Sequence, residues 1–137
     1  MSELTNGRFE PLLVDGVNGD VQRVVLTTGK VYYDLRTARE KANASVPIIR
    51  LEQFYPFPHD LLINALKQYP NATDIVWVQE EPRNMGAWPF LRERLESLLG
   101  SNQKLRYIGR PISAAPATGS HHRHEDQQKA LVEAAIG

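Results

Sequence analysis

The feature that most constrains the fold is a regular alternation of short β-branched runs with amphipathic stretches from Val21 onward. Each short run is typical of a buried strand, and the four runs span residues 23–28, 46–51, 75–78 and 105–109. Apolar residues recur at helical spacing between them, and a last helix is expected over about 125–136. Because such units connect with right-handed crossovers, the order predicts an α/β fold with helices on both faces of a mostly parallel sheet.

The chain has 137 residues, which is enough for one domain with a hydrophobic core. Residues 1–20 are expected to form an N-terminal arm, because they contain turn dipeptides and no periodic apolar pattern. The short apolar run at 11–14 is compatible with packing against a neighbouring surface. We therefore predict an arm over 1–20 and one folded domain over 21–137.

Composition excludes several classes of function. Sixteen basic residues balance sixteen acidic ones, which argues against binding to nucleic acid. The absence of cysteine excludes disulfides, iron–sulfur clusters, cysteine-ligated zinc and thiol nucleophiles. No apolar run is long enough to span a membrane, and the N-terminus lacks the apolar region of a secretory signal. We expect a cytoplasmic protein in a bacterium, or a mitochondrial matrix protein in a eukaryote.

Candidate binding residues follow the predicted strands, since ligands of open α/β sheets bind outside the carboxyl ends of the strands. Thr27 and Lys30 follow the first strand, Gln79 the third and Arg110 the fourth. Thr-Gly-Lys at the start of a helix suits an anion, although Val24 and Val31 stand where a Walker A loop needs glycine and a hydroxyl residue. A tight turn with a solvated lysine is the alternative interpretation.

Metal and catalytic signatures are weak. The one histidine-rich tract lies in a predicted loop and favours solvent exposure over metal binding: His121, His122 and His124 beside Glu125 and Asp126. Glu80 and Glu81 are adjacent on a strand end, so they are expected to point to opposite sides and to have structural roles. No nucleophile elbow, HExxH, GxGxxG or thiamin-diphosphate signature occurs, and the residues alone indicate no complete catalytic apparatus.

Four longer segments carry a specific resemblance. They are TGKVYYDL (28–35), IIRLEQFYPFP (48–58), WVQEEPRNMGAW (77–88) and YIGRPISAAPATG (107–119). In this order they closely resemble the C-terminal domain of the thiamin-diphosphate-dependent first component of the 2-oxoglutarate dehydrogenase complex. The resemblance extends from about Arg23 to the end, including His124 and Gln127-Gln128.

The resemblance implies a three-layer sandwich of the transketolase C-terminal type, with a mostly parallel five-stranded sheet that often has one antiparallel strand. A fifth strand would then come from the arm or from the segment after Arg110. It also implies a parent enzyme of the tricarboxylic acid cycle that decarboxylates 2-oxoglutarate on thiamin diphosphate and Mg²⁺. Those cofactors bind between domains absent from this chain. The isolated domain is therefore expected to be inactive, with no catalytic, cofactor or metal residues of its own.

The implied partners are the remaining domains of the parent chain, the second subunit of a homodimer and the lipoyl-bearing second component. Some family members bind a nucleotide or acyl-CoA effector against this domain. Carried onto the matching strand ends, that role predicts an effector-phosphate site at Thr27, Lys30, Gln79 and Arg110. The alternatives are a non-catalytic subunit-interaction module of a related 2-oxoadipate or pyruvate dehydrogenase and, least favoured, a small independent enzyme.

Overall fold

Strands and helices alternate along the chain after an initial strand. The computed structural model describes residues 10–110 and 121–137, with the side chains of 121–124 outside that description. The elements are β1 (Leu12–Asp15), β2 (Arg23–Thr27), α1 (Val31–Ala42), β3 (Ile48–Leu51), α2 (His59–Lys67), β4 (Asp74–Pro82), α3 (Trp88–Leu98), β5 (Lys104–Arg110) and α4 (His121–Ile136). The predicted α/β class is confirmed.

The five strands form one mixed sheet in the order β1-β3-β2-β4-β5. Strands β3, β2, β4 and β5 are parallel, whereas β1 runs antiparallel to β3 and pairs Leu12 with Leu51. The fifth strand thus comes from the N-terminal arm, one of the two expected sources. Because the four parallel strands point the same way, their carboxyl ends meet at one edge of the sheet, here called the C-terminal edge.

Two helices cover each face of the sheet and produce three layers. Alternate strand residues supply the two cores, as the two-residue period of a strand requires. On one face α2 and α3 pack on the sheet through Leu62, Leu66, Leu91 and Leu95. On the other face α1 and α4 pack through Leu35, Leu131, Val132 and Ile136. None of the helices in the described ranges has the length and apolar character needed to cross a bilayer.

Two boundaries differ from the sequence-based expectation. Helix α4 begins at His121 rather than near Glu125, so the histidine tract lies in a helix and not in a loop. Its first turn has no apolar stripe, which is why periodicity did not predict it. Strand β4 continues to Pro82 through Gln79, Glu80 and Glu81, which polarity had assigned to a loop. The strand continues because its paired neighbour β5 also extends to this edge.

Strand β1 is attached to the sheet by charged as well as backbone contacts. Arg39 of α1 is 4% exposed, and its guanidinium donates to the Asp15 carbonyl at 3.1 Å and to the Asp15 carboxylate at 3.0 Å. The Tyr32 hydroxyl donates to the same carboxylate at 2.6 Å. Burial alone would raise the pKa of Asp15, but the hydrogen bonds from Tyr32 and Arg39 outweigh it and lower the pKa. The edge strand therefore depends on a buried cation.

A second ionic cluster lies near the amino ends of β2, β4 and β5. Asp74 at the start of β4 accepts hydrogen bonds from Arg23 of β2 at 2.8 Å and from Arg106 of β5 at 2.7 and 2.8 Å. The bond from Arg106, supported by Arg23 and opposed by burial, holds the pKa of the Asp74 carboxyl below its ordinary value of 3.8. Three neighbouring strands are thus joined through one carboxylate.

This cluster predicts acid sensitivity. Because the folded-state pKa of Asp74 is lowered, its contribution to stability is fully present above the unfolded pKa and is lost as pH falls through the folded value. Asp74→Asn is expected to destabilise the protein near neutral pH and to flatten the fall in unfolding free energy below about pH 4. Urea unfolding over a pH series measures both effects. Asp60→Asn, which removes a carboxylate 97% exposed, is the control; identical pH profiles for the two variants would contradict the assignment.

Candidate functional site

The four residues predicted to bind an effector all lie at the C-terminal edge, but the sheet separates their side chains. Thr27 ends β2, Lys30 immediately precedes α1, Gln79 lies on β4 and Arg110 ends β5. Residues two apart on a strand share a face. Thr27 therefore faces α1 and α4, as Val25 does, whereas Gln79 faces α2 and α3, as Trp77 does. All four residues therefore lie at one edge of the sheet, but the Gln79 side chain is on the opposite face of the sheet from that of Thr27.

The turn between β2 and α1 is fixed by two hydroxyls and a glycine. Thr27 is fully buried and donates to the Val78 carbonyl at 2.8 Å, and Thr28 donates to the Leu51 carbonyl at 2.8 Å. Gly29 has a φ of +77°, a conformation that side chains with a Cβ rarely adopt. The two threonines thus bind the middle of β4 and the end of β3 beside the start of α1.

Lys30 occupies the N-cap position of α1. Its side chain is exposed, and no side-chain hydrogen bond caps the helix there. The first amides of an uncapped helix are unsatisfied donors at the positive end of the helix dipole. The Tyr32 and Tyr33 N–H groups donate to the Gly29 and Lys30 carbonyls at 3.3 and 3.1 Å. The turn therefore presents an ammonium group at the positive end of the helix dipole, with part of its backbone donors already used.

The Arg110 guanidinium is oriented by three hydrogen bonds. Its Nε donates to the Glu80 carbonyl at 2.8 Å, and its two terminal nitrogens donate to the side-chain oxygens of Gln127 and Gln128 at 2.9 Å each. All three acceptors are neutral, and Arg110 forms no ion pair with the described residues. A guanidinium held only by neutral oxygens is oriented while its charge stays unpaired.

Gln128 of α4 connects Arg110 to the first turn of α1. While its oxygen accepts from Arg110, its nitrogen donates to Asp34 at 3.0 Å and to the Glu80 carboxylate at 2.9 Å. The Asp34 and Glu80 carboxylates thus lie on the nitrogen side of the Gln128 amide, while the Arg110 guanidinium lies on its oxygen side. They offset part of the positive charge of Arg110 from a distance. Gln127 and Gln128 belong to the segment that carries the family resemblance, but their contact with Arg110 was not predicted. A bond from β5 to the last helix leaves no local pattern in the sequence.

Gln79 has a different environment, because its side chain is 1% exposed and its amide is fully used inside the protein. Its oxygen accepts from the Trp77 indole at 2.9 Å and from the Trp88 backbone N–H at 3.1 Å. Its two N–H groups are shared among three carbonyls, those of Glu81 and Pro82 at the end of β4 and of Met85 in the following loop, at 3.1, 2.9 and 2.8 Å. Gln79 therefore organises the loop that leads into α3.

A groove beside Arg110 runs between β5 and α4. Its volume is about 310 Å³, and its walls are largely apolar, including Ile108, Ala130, Leu131 and Ala134. The Arg110 carbonyl accepts from the Tyr107 hydroxyl at 2.7 Å. The Tyr107 ring packs with Trp88 on the other face of the sheet, where burial raises the pKa of Tyr107. An apolar slot that ends at an oriented cation suits a ligand with one flat or aliphatic part and one anionic part.

The described side chains form no metal cluster. Among residues 10–110 and 125–137, no group of three or more His, Asp or Glu side chains is arranged to hold a metal ion. The predicted histidine tract, His121, His122 and His124, has its side chains outside the described part. The described residues therefore do not fit a thiamin-diphosphate–magnesium centre.

Comparison with known proteins gives the family. Residues 1–136 match the family described as 2-oxoglutarate dehydrogenase C-terminal. The chain is 48% identical to the 2-oxoglutarate dehydrogenase E1 component of Cupriavidus necator and 48% identical to that of Haemophilus influenzae. Each alignment covers 99% of this chain and 15% of the relative. It is 43% identical to the oxoglutarate dehydrogenase of Buchnera aphidicola, over 96% of this chain and 15% of that protein.

The chain therefore spans about 15% of the length of these curated relatives, and the match confirms the resemblance carried by the four motif segments. It belongs to the 2-oxoglutarate dehydrogenase C-terminal family.

Proposed function

We propose that this domain serves a 2-oxoglutarate dehydrogenase first component and binds the phosphates of a nucleotide or acyl-CoA effector at its C-terminal edge. The parent enzyme would decarboxylate 2-oxoglutarate and pass the succinyl group to lipoyl groups of the second component. Thiamin diphosphate and Mg²⁺ would be held by the other domains of the parent. The names of the relatives support this assignment, and their bacterial origin favours the cytoplasm over the mitochondrial matrix.

The observation that carries the effector proposal is the unpaired charge of Arg110. Three neutral oxygens orient its guanidinium, so an arriving phosphate would meet a cation that is already ordered. Charge-assisted bonds from arginine to phosphate are among the stronger hydrogen bonds in proteins. The first turn of α1, which follows Lys30, is connected to Arg110 through Asp34 and Gln128. Lys30 and the start of α1 would provide a second contact for a diphosphate or an extended ligand.

Thr27 and Gln79 have different roles in this proposal. The Thr27 hydroxyl donates to Val78, and both polar atoms of the Gln79 amide are occupied within the protein. Both residues would position the strand ends, while Lys30 and Arg110 contact phosphate. The groove between β5 and α4 would accept the adenine or the apolar arm of the ligand, since about 310 Å³ lies at the lower end of known ligand sites.

Isothermal titration calorimetry with AMP, acetyl-CoA and sulfate tests the site. We expect saturable binding of at least one organic phosphate and a loss of roughly 10–100-fold in affinity on Arg110→Gln. The matched control is Arg92→Gln, an arginine of α3 that is 58% exposed and 4.0 Å from its nearest carboxylate. No saturable heat in a sample that is folded by circular dichroism, or equal affinities for the two variants, would contradict the proposal.

We also propose that the domain supports assembly of the parent homodimer. The exposed apolar side chain of Met85, 55% accessible, supports the alternative interpretation of the chain as an interaction module. Sedimentation distinguishes the two functions: a stable dimer of the isolated chain favours the interaction module. A monomer that binds organic phosphate favours the effector site.

A further inference from the structure

An aromatic cluster on the α2/α3 side of the C-terminal edge has one exposed ring, Tyr55, backed by the partly buried rings of Phe54 and Phe90. Phe54 and Tyr55 follow β3, and Phe90 lies in the first turn of α3. The ring centroids of Tyr55 and Phe90 are 4.9 Å apart, and those of Phe54 and Phe90 are 6.3 Å apart. The Arg94 guanidinium lies 3.8 Å from the Phe90 ring centroid. These four residues are called the aromatic patch below.

The outer side of the aromatic patch is uncovered in the part of the chain that the structure describes, whereas Phe54 and Phe90 pack inward against the core. Tyr55 is 76% exposed although its ring packs on Phe90, and Arg94 forms no ion pair with the described residues. An exposed tyrosine backed by two phenylalanine rings, with an arginine beside them, has the composition of an interface core. A matching surface would provide apolar side chains for the rings and a carboxylate for Arg94.

The path of the chain indicates which surface lies opposite the patch. The Pro11 carbonyl accepts from the backbone N–H of Glu52 at 2.8 Å and of Gln53 at 3.1 Å. Because β1 is antiparallel to β3, the chain enters the sheet at the C-terminal edge, next to the segment that carries Phe54 and Tyr55. The backbone at Pro11 therefore lies beside the segment that carries the aromatic patch.

In the relatives, most of the polypeptide lies outside the region that this chain matches, since the match covers 15% of their length and belongs to their C-terminal family. We propose that the aromatic patch is the docking surface for the part of the parent chain that precedes this domain. The inference rests on the proposed function as a domain of that longer enzyme. A covalent connection beside the patch gives the preceding region a high effective concentration there, which a second copy lacks.

Photo-crosslinking of the full-length first component that carries this domain tests the proposal. Tyr55 is replaced by p-benzoylphenylalanine, and the same group at Gln22, which is exposed near the start of β2 at the opposite edge, is the control. Mixed isotopically light and heavy enzyme separates crosslinks within a chain from crosslinks between chains. We expect within-chain crosslinks from position 55 to the preceding region at about tenfold the yield from position 22.

Crosslinks from position 55 mainly to a second copy or to another protein would overturn the proposal, as would a yield equal to that from position 22. Decarboxylation of 2-oxoglutarate by the same samples is recorded separately. An inactive parent with the expected crosslink would contradict the proposed function but not the docking surface.

Discussion

Replacing Gln79 with leucine is expected to lower the free energy of unfolding by about 4 kcal/mol. Leucine has a similar volume but leaves the Trp77 indole and the Trp88 backbone N–H as buried donors without their acceptor. Each unsatisfied buried group costs about 1–3 kcal/mol, and the end of β4 and the following loop also lose the donor that binds their carbonyls. Urea unfolding followed by tryptophan fluorescence measures the effect.

The matched control for this experiment is Gln53→Leu. Gln53 also donates to a backbone carbonyl, that of Pro56 at 2.8 Å, but this bond is exposed to solvent. Its loss is expected to cost less than about 1 kcal/mol, because water replaces the lost partner. Equal effects of the two substitutions would show that the Gln79 amide does not organise the loop.

Arg39→Leu is expected to cost about 3 kcal/mol and to release β1 from the sheet. The substitution removes a buried cation that bonds both the carbonyl and the carboxylate of Asp15. The Asp15 carboxylate is then left in a partly buried position with Tyr32 as its remaining hydrogen-bond donor. Amide hydrogen exchange of Leu13 and Asp15, whose N–H groups face β3 in the antiparallel register, measures the release directly when compared with that of the central strands.

Arg36→Leu is the control for charge alone. Arg36 lies 4.0 Å from the same carboxylate, but its side chain is 56% exposed, so the pair is expected to contribute less than about 1 kcal/mol. If Arg39→Leu leaves exchange in β1 unchanged, or matches Arg36→Leu in stability, the charged attachment of the edge strand is wrong.

Strands β2 and β4 were predictable because each contains a short, continuous apolar run that is buried on both faces, at 24–26 and 75–78. Strands β3 and β5 each contain one arginine within the run, and β5 is an edge strand, but their apolar and aromatic residues still indicated a strand. Strand β1 was not predictable, since its four residues are only partly buried and acquire their structure by pairing with β3 and by the bond from Arg39. A short edge strand is defined by its partners rather than by its own pattern.

The candidate site divides in the same way. The rule that ligands bind at strand ends selected Lys30 and Arg110 from local sequence. The partners of Arg110 on α4 and the burial of Gln79 come from contacts distant in sequence or from the fold of the following loop. Polarity alone could not distinguish the internal amide of Gln79 from a ligand-binding one.

The proposed anion site is tested most directly by NMR titration of the isotopically labelled chain with the organic phosphate that binds most tightly in calorimetry. The largest shifts are expected at the Arg110 side-chain Nε–H and at the backbone amides of Lys30 and Val31. The side-chain amide of Gln79, on the other face, should move little. Shifts centred on α3, or the same shifts in the Arg110→Gln variant, would contradict the proposed anion site.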